Sequence, residues 1–366
     1  MEDLVTDAFW RGRRVFLTGH TGFKGSWLAL WLTKMGAEVT GFALPAESPS
    51  LFEQARIAEL VHHVEGDIRD LAAVEAAMAA AQPEVVFHLA AQPLVRLSYA
   101  TPVETFATNV QGTVHVLDAC RRAEGLKAVV CITSDKCYEN RETDRPYRED
   151  DAMGGYDPYS ASKGASELVV SAYRRSFFSG GGPETARLAS VRAGNVIGGG
   201  DWAVDRLIPD LIRAMIAGEK PLIRSPDSIR PWQHVLEALG GYLMIAERLV
   251  QGQDWAAAGW NFGPAESDTQ PVRWIVQHMT AAWGSPGWTQ SEGQQPHEAK
   301  LLRLDCKKAH DELGWRPAYT LDKALNRIVE WHRHVAQGGD ARAISLTQLD
   351  DYRNEFKRAL SQKGAA

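Results

Sequence analysis

Along the first half of the chain, short apolar runs rich in β-branched residues alternate with longer stretches whose apolar positions recur at helical spacing. That alternation predicts a parallel sheet whose strands are joined by crossover helices. Val15 to Thr18 reads as the first strand, about Lys24 to Met35 as a helix stopped by Gly36, and Glu38 to Phe42 as the second strand, completing one βαβ unit. Val61 to Glu65, Val85 to Ala90, Lys127 to Thr133 and Leu188 to Ala193 read as further strands, with helices such as Leu71 to Ala81 and Thr113 to Ala123 between them. Most of these runs are apolar throughout rather than alternating, as strands buried on both faces must be. Past about Asp201 the pattern loosens, and Pro209, Pro221, Pro226 and Pro231 punctuate short helices and single strands. The expected architecture is therefore α/β: a doubly wound parallel sheet over residues 1–200 and a smaller C-terminal α/β lobe over 201–366, with the chain able to cross between them. The glycine run from Ser179 to Pro183 reads as a surface connection, and Leu346 to Leu360 as a last helix before a polar end.

Composition narrows the function classes. The chain has 366 residues, 45% hydrophobic and 23% charged, which suits a large globular fold and excludes a disordered or repetitive one. A net charge of -6 offers no basic field for a phosphate backbone, so nucleic acid is not an expected partner. Cys120, Cys131, Cys137 and Cys306 show no Cys-x-x-Cys spacing and read as reduced thiols. The acidic start from Met1 to Asp7 lacks a secretory pattern, and no apolar run approaches membrane-spanning length; the expected location is the cytoplasm, with no membrane contact. Eleven histidines show no ligand cluster, so no metal is expected, and His62-His63 reads as an exposed strand end. Of the tryptophans, Trp27 and Trp31 lie four apart and should cover the sheet, Trp331 should be core, and Trp202 and Trp232 flank candidate substrate loops.

Two constellations carry chemistry. Thr18-Gly19-His20-Thr21-Gly22-Phe23-Lys24-Gly25 follows the first strand and opens the first helix, with glycines three apart. At such a turn, bare backbone N–H groups and the positive end of the helix receive a pyrophosphate, so a dinucleotide is the expected ligand. Tyr159-Ser-Ala-Ser-Lys163 puts a phenol and an ammonium one helical turn apart on one face. A lysine held protonated there is expected to lower the phenol from its ordinary value near 10, making a base for a hydroxyl proton. Ser134, at the end of the strand Lys127 to Thr133, would hold the reacting oxygen.

The glycine spacing and the Ser134, Tyr159, Lys163 set resemble those of the extended short-chain dehydrogenase/reductase family. The resemblance implies a Rossmann-type domain that binds NAD through Gly19, Thr21, Gly22, Phe23, Lys24 and Gly25, with Asp67 and Ile68 at the adenine. It implies Leu89, Ala90 and Ala91, within His88-Leu-Ala-Ala-Gln92, along the cofactor, which Tyr159 and Lys163 also touch. The end of the second strand, Gly41-Phe42-Ala43-Leu44, lacks the acidic residue that normally holds the adenine ribose.

After Ser134 come Asp135 and Lys136, two ionisable groups in positions that resemble the Thr-Asp-Glu of nucleotide-sugar 4,6-dehydratases, with Lys136 in place of Glu. Elimination of water needs a base and an acid, and this pair supplies both, in either assignment. Ser134-Asp-Lys-Cys-Tyr138, Arg192-Ala-Gly-Asn195 with the glycines up to Trp202, Asp205-Arg206 and Arg230-Pro-Trp-Gln-His234 together resemble the CDP-glucose 4,6-dehydratase family. That resemblance implies CDP-glucose as substrate, Asn195, Arg206 and Arg230 on its diphosphate, a homo-oligomer, and oxidation at carbon 4, loss of water across carbons 5 and 6, and reduction at carbon 6. A nucleotide-sugar 4-epimerase and a non-catalytic dinucleotide-sensing protein are the alternatives; Asp135 and Lys136 argue against the first, and Tyr159 with Lys163 against the second.

Overall fold

Val15 and Leu17 pack into one apolar core and Phe16 between them into another, so the first strand is buried on both faces. The structure, a computed structural model describing residues 5–179, 185–291 and 302–361, contains twelve strands in those residues. They are β1 (Arg14–Thr18), β2 (Glu38–Ala43), β3 (His62–Glu65), β4 (Val85–His88), β5 (Ala128–Ile132), β6 (Arg187–Ala193), β7 (Asn195–Ile197), β8 (Leu222–Ile223), β9 (Ile229–His234), β10 (Gly259–Phe262), β11 (Thr269–Pro271) and β12 (Thr289–Gln290). Seven form one parallel sheet in the order β10-β6-β5-β4-β1-β2-β3. The expected α/β fold with a doubly wound sheet is what the chain adopts. Strand order reverses between β1 and β4, and the crevice beyond the carboxyl ends of those two strands is where such sheets bind ligands.

Helices Phe23–Lys34, Leu71–Ala81, Gly112–Arg122 and Pro158–Phe177 cross over the sheet. Trp27 and Trp31 are fully buried against it, and Trp27 donates its indole N–H to the Gly199 carbonyl at 2.9 Å. Two strand ends fall short of the sequence reading for a local reason. β4 stops at His88, because the N–H groups of Leu89 and Ala90 turn to the Thr18 hydroxyl at 3.1 and 3.2 Å. β5 stops at Ile132, and Ser134 caps a short 3-10 turn over Asp135–Cys137 by accepting the Lys136 N–H at 3.2 Å.

The seventh strand, β10, comes from beyond residue 201 and pairs with β6 in parallel, while helix Val235–Val250 packs behind β5 and β6. Four residues, one of them a glycine, are too short a run to establish a strand period, so β10 was not legible. The remaining strands build the smaller layer: β7 runs parallel to β9, β11 antiparallel to β9, and β8 pairs with β12. Ile208, Leu211, Ile275, Met279 and Leu325 form its own core. The segment up to Pro317 packs by inserting Trp315, whose indole donates to the Glu237 carbonyl at 3.2 Å. His63 is half-buried rather than an exposed strand end, its Nδ1 lying 2.7 Å from Nε2 of His20. Gly180 to Pro183, of the glycine run, lie outside the described residues. Among the described residues no helix is long and apolar enough to cross a membrane, and no cluster of candidate metal ligands occurs.

Candidate active site

The turn after β1 is shaped by contacts that exclude side chains. Gly19 has φ +77°, and a Cβ there would come 2.7 Å from the Ala90 amide nitrogen. A Cβ at Gly25 would lie 2.1 Å from the Gly19 carbonyl oxygen, so the helix start is pressed onto the turn. Gly22, at the helix N-cap, is exposed and meets nothing closer than 3.4 Å, and no side chain caps this helix end. The first N–H groups of Phe23–Lys34 are thus left for an anion, and the cradle fits a dinucleotide pyrophosphate. Thr21 donates its hydroxyl to the Leu44 carbonyl at 3.0 Å. The turn after β4 meets the glycine turn directly: Leu89 and Ala90 bond to Thr18, and Ala91 continues that segment, half-buried. Ile68 is buried and packs on Gly112, while the Asp67 carboxylate holds Arg69 at 2.6 Å, which keeps it below the ordinary carboxylate range.

Asp157 caps helix Pro158–Phe177 by accepting the Ser160 N–H at 2.9 Å, and Pro158 occupies its first turn. Tyr159 and Lys163, one turn apart on that helix, are both buried. Ser134 donates its hydroxyl to the Asp135 carboxylate at 3.0 Å. Burial pushes the Tyr159 phenol up to about 12, against the pull of a hydrogen bond with Ser134 and of Arg206. The sequence reading expects Lys163 to lower this phenol; instead burial dominates, and it also brings Lys163 itself down to about 8. Burial likewise raises Asp135, opposed by Lys136, Ser134 and Arg230. Lys136 is half-buried. Gly194 lets the β6–β7 link approach this carboxylate, since a Cβ there would come 3.1 Å from its Oδ2.

The structure brings Ser134, Asp135, Tyr159 and Lys163 together and sets Arg206 and Arg230 within electrostatic reach of them. Arg206 pairs with Asp201 at 3.2 Å, and Asn195, opposite Trp232 in the β7–β9 ladder, donates to the Pro231 carbonyl at 3.4 Å. Trp202 stacks on His332 with centroids 5.1 Å apart and donates to Gln54, which makes it a packing residue; Trp232 is buried.

Three features went unread in the sequence. Lys24 extends from the glycine turn toward Lys163, Arg206 and Asp135: burial and the nearby Lys163 and Arg206 bring its ammonium down to about 7, and its Nζ lies 3.4 Å from the Tyr242 hydroxyl. Asn109 accepts the Gln92 N–H at 2.8 Å and donates to Ser162 at 2.8 Å, tying the segment after β4 to helix Pro158–Phe177. Glu167 and Arg192 form a buried ion pair at 2.8 Å behind Ser134. The spacing 159, 163, 167 and two polar residues inside apolar β6 were the available signals.

A doubly wound sheet with a glycine cradle at its switch point, and a serine, tyrosine and lysine converging beside it, defines a short-chain dehydrogenase/reductase. Residues 16–328 match the family described as GDP-mannose 4,6 dehydratase, and the chain belongs to that family. It is 53% identical over 359 residues to the CDP-glucose 4,6-dehydratase of Salmonella typhimurium, covering 97% of this chain and 100% of that protein. The dTDP-glucose 4,6-dehydratase of Xanthomonas campestris pv. campestris is 26% identical over 331 residues, 86% of this chain and 92% of that one. MoeE5 in complex with UDP-glucose and NAD superposes with a TM-score of 0.72 at 26% identity, covering 88% of this chain and 99% of that chain. The dTDP-glucose 4,6-dehydratase of Bacillus anthracis in complex with NAD shares the fold, with a TM-score of 0.74 at 19% identity over 90% of this chain and 100% of that chain.

Proposed function

We propose that this protein is an NAD-dependent CDP-glucose 4,6-dehydratase, converting CDP-glucose to CDP-4-keto-6-deoxyglucose and water. The observation that carries the reading is Asp135 with Lys136 directly after Ser134, a buried carboxyl whose affinity for a proton is raised, beside a half-buried lysine side chain. The near full-length identity to the Salmonella enzyme supports the same choice of base and sugar. The glycine cradle fits NAD, held by Gly19, Thr21, Gly22, Phe23, Lys24 and Gly25 and lined by Asp67, Ile68, Leu89, Ala90 and Ala91. When bound, NAD supplies a reversible acceptor of two electrons and a hydrogen, taken from carbon 4 and returned at carbon 6.

Ser134 orients the 4-hydroxyl, and Tyr159, acting as the phenolate that the Lys163 ammonium stabilises, takes its proton and becomes the phenol. Once carbon 4 is a ketone, the proton at carbon 5 is acidic. Asp135 and Lys136 then divide two tasks, one removing that proton and the other protonating the leaving 6-hydroxyl. Asn195, Arg206 and Arg230 hold the diphosphate, guanidinium forks suiting its oxygens. The same reading takes residues past 201 as the main nucleotide-sugar lobe and the protein as a cytoplasmic homo-oligomer.

Mass analysis of the product tests the reaction: loss of one water from CDP-glucose is expected, whereas epimerisation conserves mass and a binding protein leaves the substrate intact. Asp135→Asn and Lys136→Ala are expected to oxidise CDP-glucose still, so that reduced cofactor accumulates, while water loss slows by about 10²-fold. Deuterium exchange at carbon 5 of the trapped ketone assigns the pair, since only the variant lacking the base fails to exchange. Normal dehydration by both variants would remove the pair from the chemistry.

A further inference from the structure

Behind Ser134 lies a polar cluster built on Glu167 and Arg192. Glu167 lies four residues past Lys163 and eight past Tyr159, hence on the same face of helix Pro158–Phe177. Its Oε1 accepts the Thr133 hydroxyl at 2.5 Å and the Arg192 Nε–H at 2.9 Å. Its Oε2 accepts the Ser190 hydroxyl and an Arg192 Nη2–H, both at 2.8 Å. Arg192 donates from Nη1 to the Tyr138 hydroxyl at 2.6 Å, and Tyr138 donates onward to Asn261 of β10 at 2.7 Å. Thr133 precedes Ser134, and Tyr138 follows Cys137. The two partners of the ion pair therefore bracket the whole segment that carries Ser134, Asp135 and Lys136, and one of them stands on the helix that carries Tyr159 and Lys163.

Resting on the reaction proposed above, we propose that the Glu167–Arg192 pair positions the catalytic groups, fixing the segment Ser134–Cys137 and the Tyr159–Lys163 helix in one register. A buried pair is weak evidence for stability, because desolvation opposes its attraction; its four satisfied acceptor contacts instead specify geometry. Two apolar residues would fill the space without fixing the strand end against the helix. The alignment at stake is large, since a displacement of about 1 Å at a reacting group costs about 10²-fold in rate. Glu167 also adds a negative charge that raises Lys163 against the effect of burial.

Glu167→Gln tests the pair by steady-state and single-turnover kinetics with CDP-glucose, with wild type measured alongside. The expected result is a fall of about 10²-fold in both cofactor reduction and water loss, with KM for CDP-glucose within about threefold. The alkaline limb of the oxidation step should also move to lower pH, because Lys163 loses a neighbouring negative charge. A rate within twofold of wild type overturns the proposal. So does a loss of rate that follows thermal stability, with an unmoved pH profile, and returns together with it in Glu167→Gln/Arg192→Met. Thr133→Val removes a single hydroxyl and covers the case in which Glu167→Gln does not fold; about a fivefold fall in turnover is expected, and none overturns the proposal. Crystal structures of wild type and Thr133→Val give a readout independent of activity: Ser134 should shift relative to Tyr159, and an unmoved Ser134 counts against positioning. Wild type that leaves CDP-glucose intact defeats the reaction assignment instead, and the crystallographic comparison still decides the role of the pair.

Discussion

The turn after β1 and the segment after β5 lie beyond the same edge of the sheet but are constructed by opposite means. From Gly19 to Gly25 the shape comes from backbone pressed on backbone, with Cβ positions that would lie 2.7 and 2.1 Å from main-chain atoms. From Thr133 to Tyr138 the shape comes from side chains, anchored to residues 34 and 54 positions away in sequence. The first, the proposed cofactor cradle, admits no side chain at Gly19 or Gly25, and the second, the proposed reactive segment, depends on distant partners. Substitutions should therefore act on affinity in the one and on rate in the other.

The largest expected effect lies on the reactive side. Tyr159→Phe keeps the shape and removes the base, so turnover should fall by about 10³-fold or more while calorimetric affinity for CDP-glucose stays within about threefold. Turnover within tenfold of wild type would dismiss Tyr159 as the base. Gly25→Ala sharpens the other side: the turn must shift to admit the methyl group, and NAD affinity should weaken by about tenfold or more in a titration, with the chain still folded by circular dichroism. Undiminished affinity there would show that the close contact relaxes without harm. Arg230→Ala lies between the two regions, since it faces both the Asp135 charge and the proposed diphosphate. KM should rise by about tenfold with a smaller change in kcat, and the reverse split would move Arg230 from binding to chemistry.

The smallest effect is on stability, well away from both regions. Burial pushes Glu237 up to about 7, although it accepts the Ala318 and Tyr319 N–H groups and the Tyr352 hydroxyl. A carboxyl raised on folding adds stability that is complete below its ordinary value and lost as pH climbs through the raised one. The melting temperature should thus decline between about pH 5 and about pH 8, and Glu237→Gln should flatten that decline. An equally steep decline in the variant would clear Glu237 of the effect.

Legibility followed the same division. Strands β1 to β6 and their crossover helices announce themselves as apolar runs and periods within a dozen residues, and the glycine turn as three glycines at fixed spacing. Ser134, Tyr159 and Lys163 were legible because each occupies a fixed place relative to a strand end or helix. What escaped depends on tertiary placement. Lys24 reads locally as a cofactor residue, yet its ammonium reaches the catalytic charges. Glu167 and Arg192 look like ordinary charges until the helix is laid across β5 and β6, and the dominance of burial over Lys163 at the phenol requires knowing how little solvent reaches Tyr159. β10 is too short, at four residues, to declare itself before β6 is there to pair with it.

That last strand has a consequence for synthesis on the ribosome. When residues 1–200 have emerged, six of the large sheet's seven strands are available, but β6 still presents an open edge, and the face beneath Trp27 lacks helix Val235–Val250. Even the first residues wait, because Val5 and Trp10 donate to Glu247. The nascent chain thus exposes an unpaired strand and an apolar surface until residue 262 has been made, the condition under which chains stick to one another. The sheet is closed by its latest arrival.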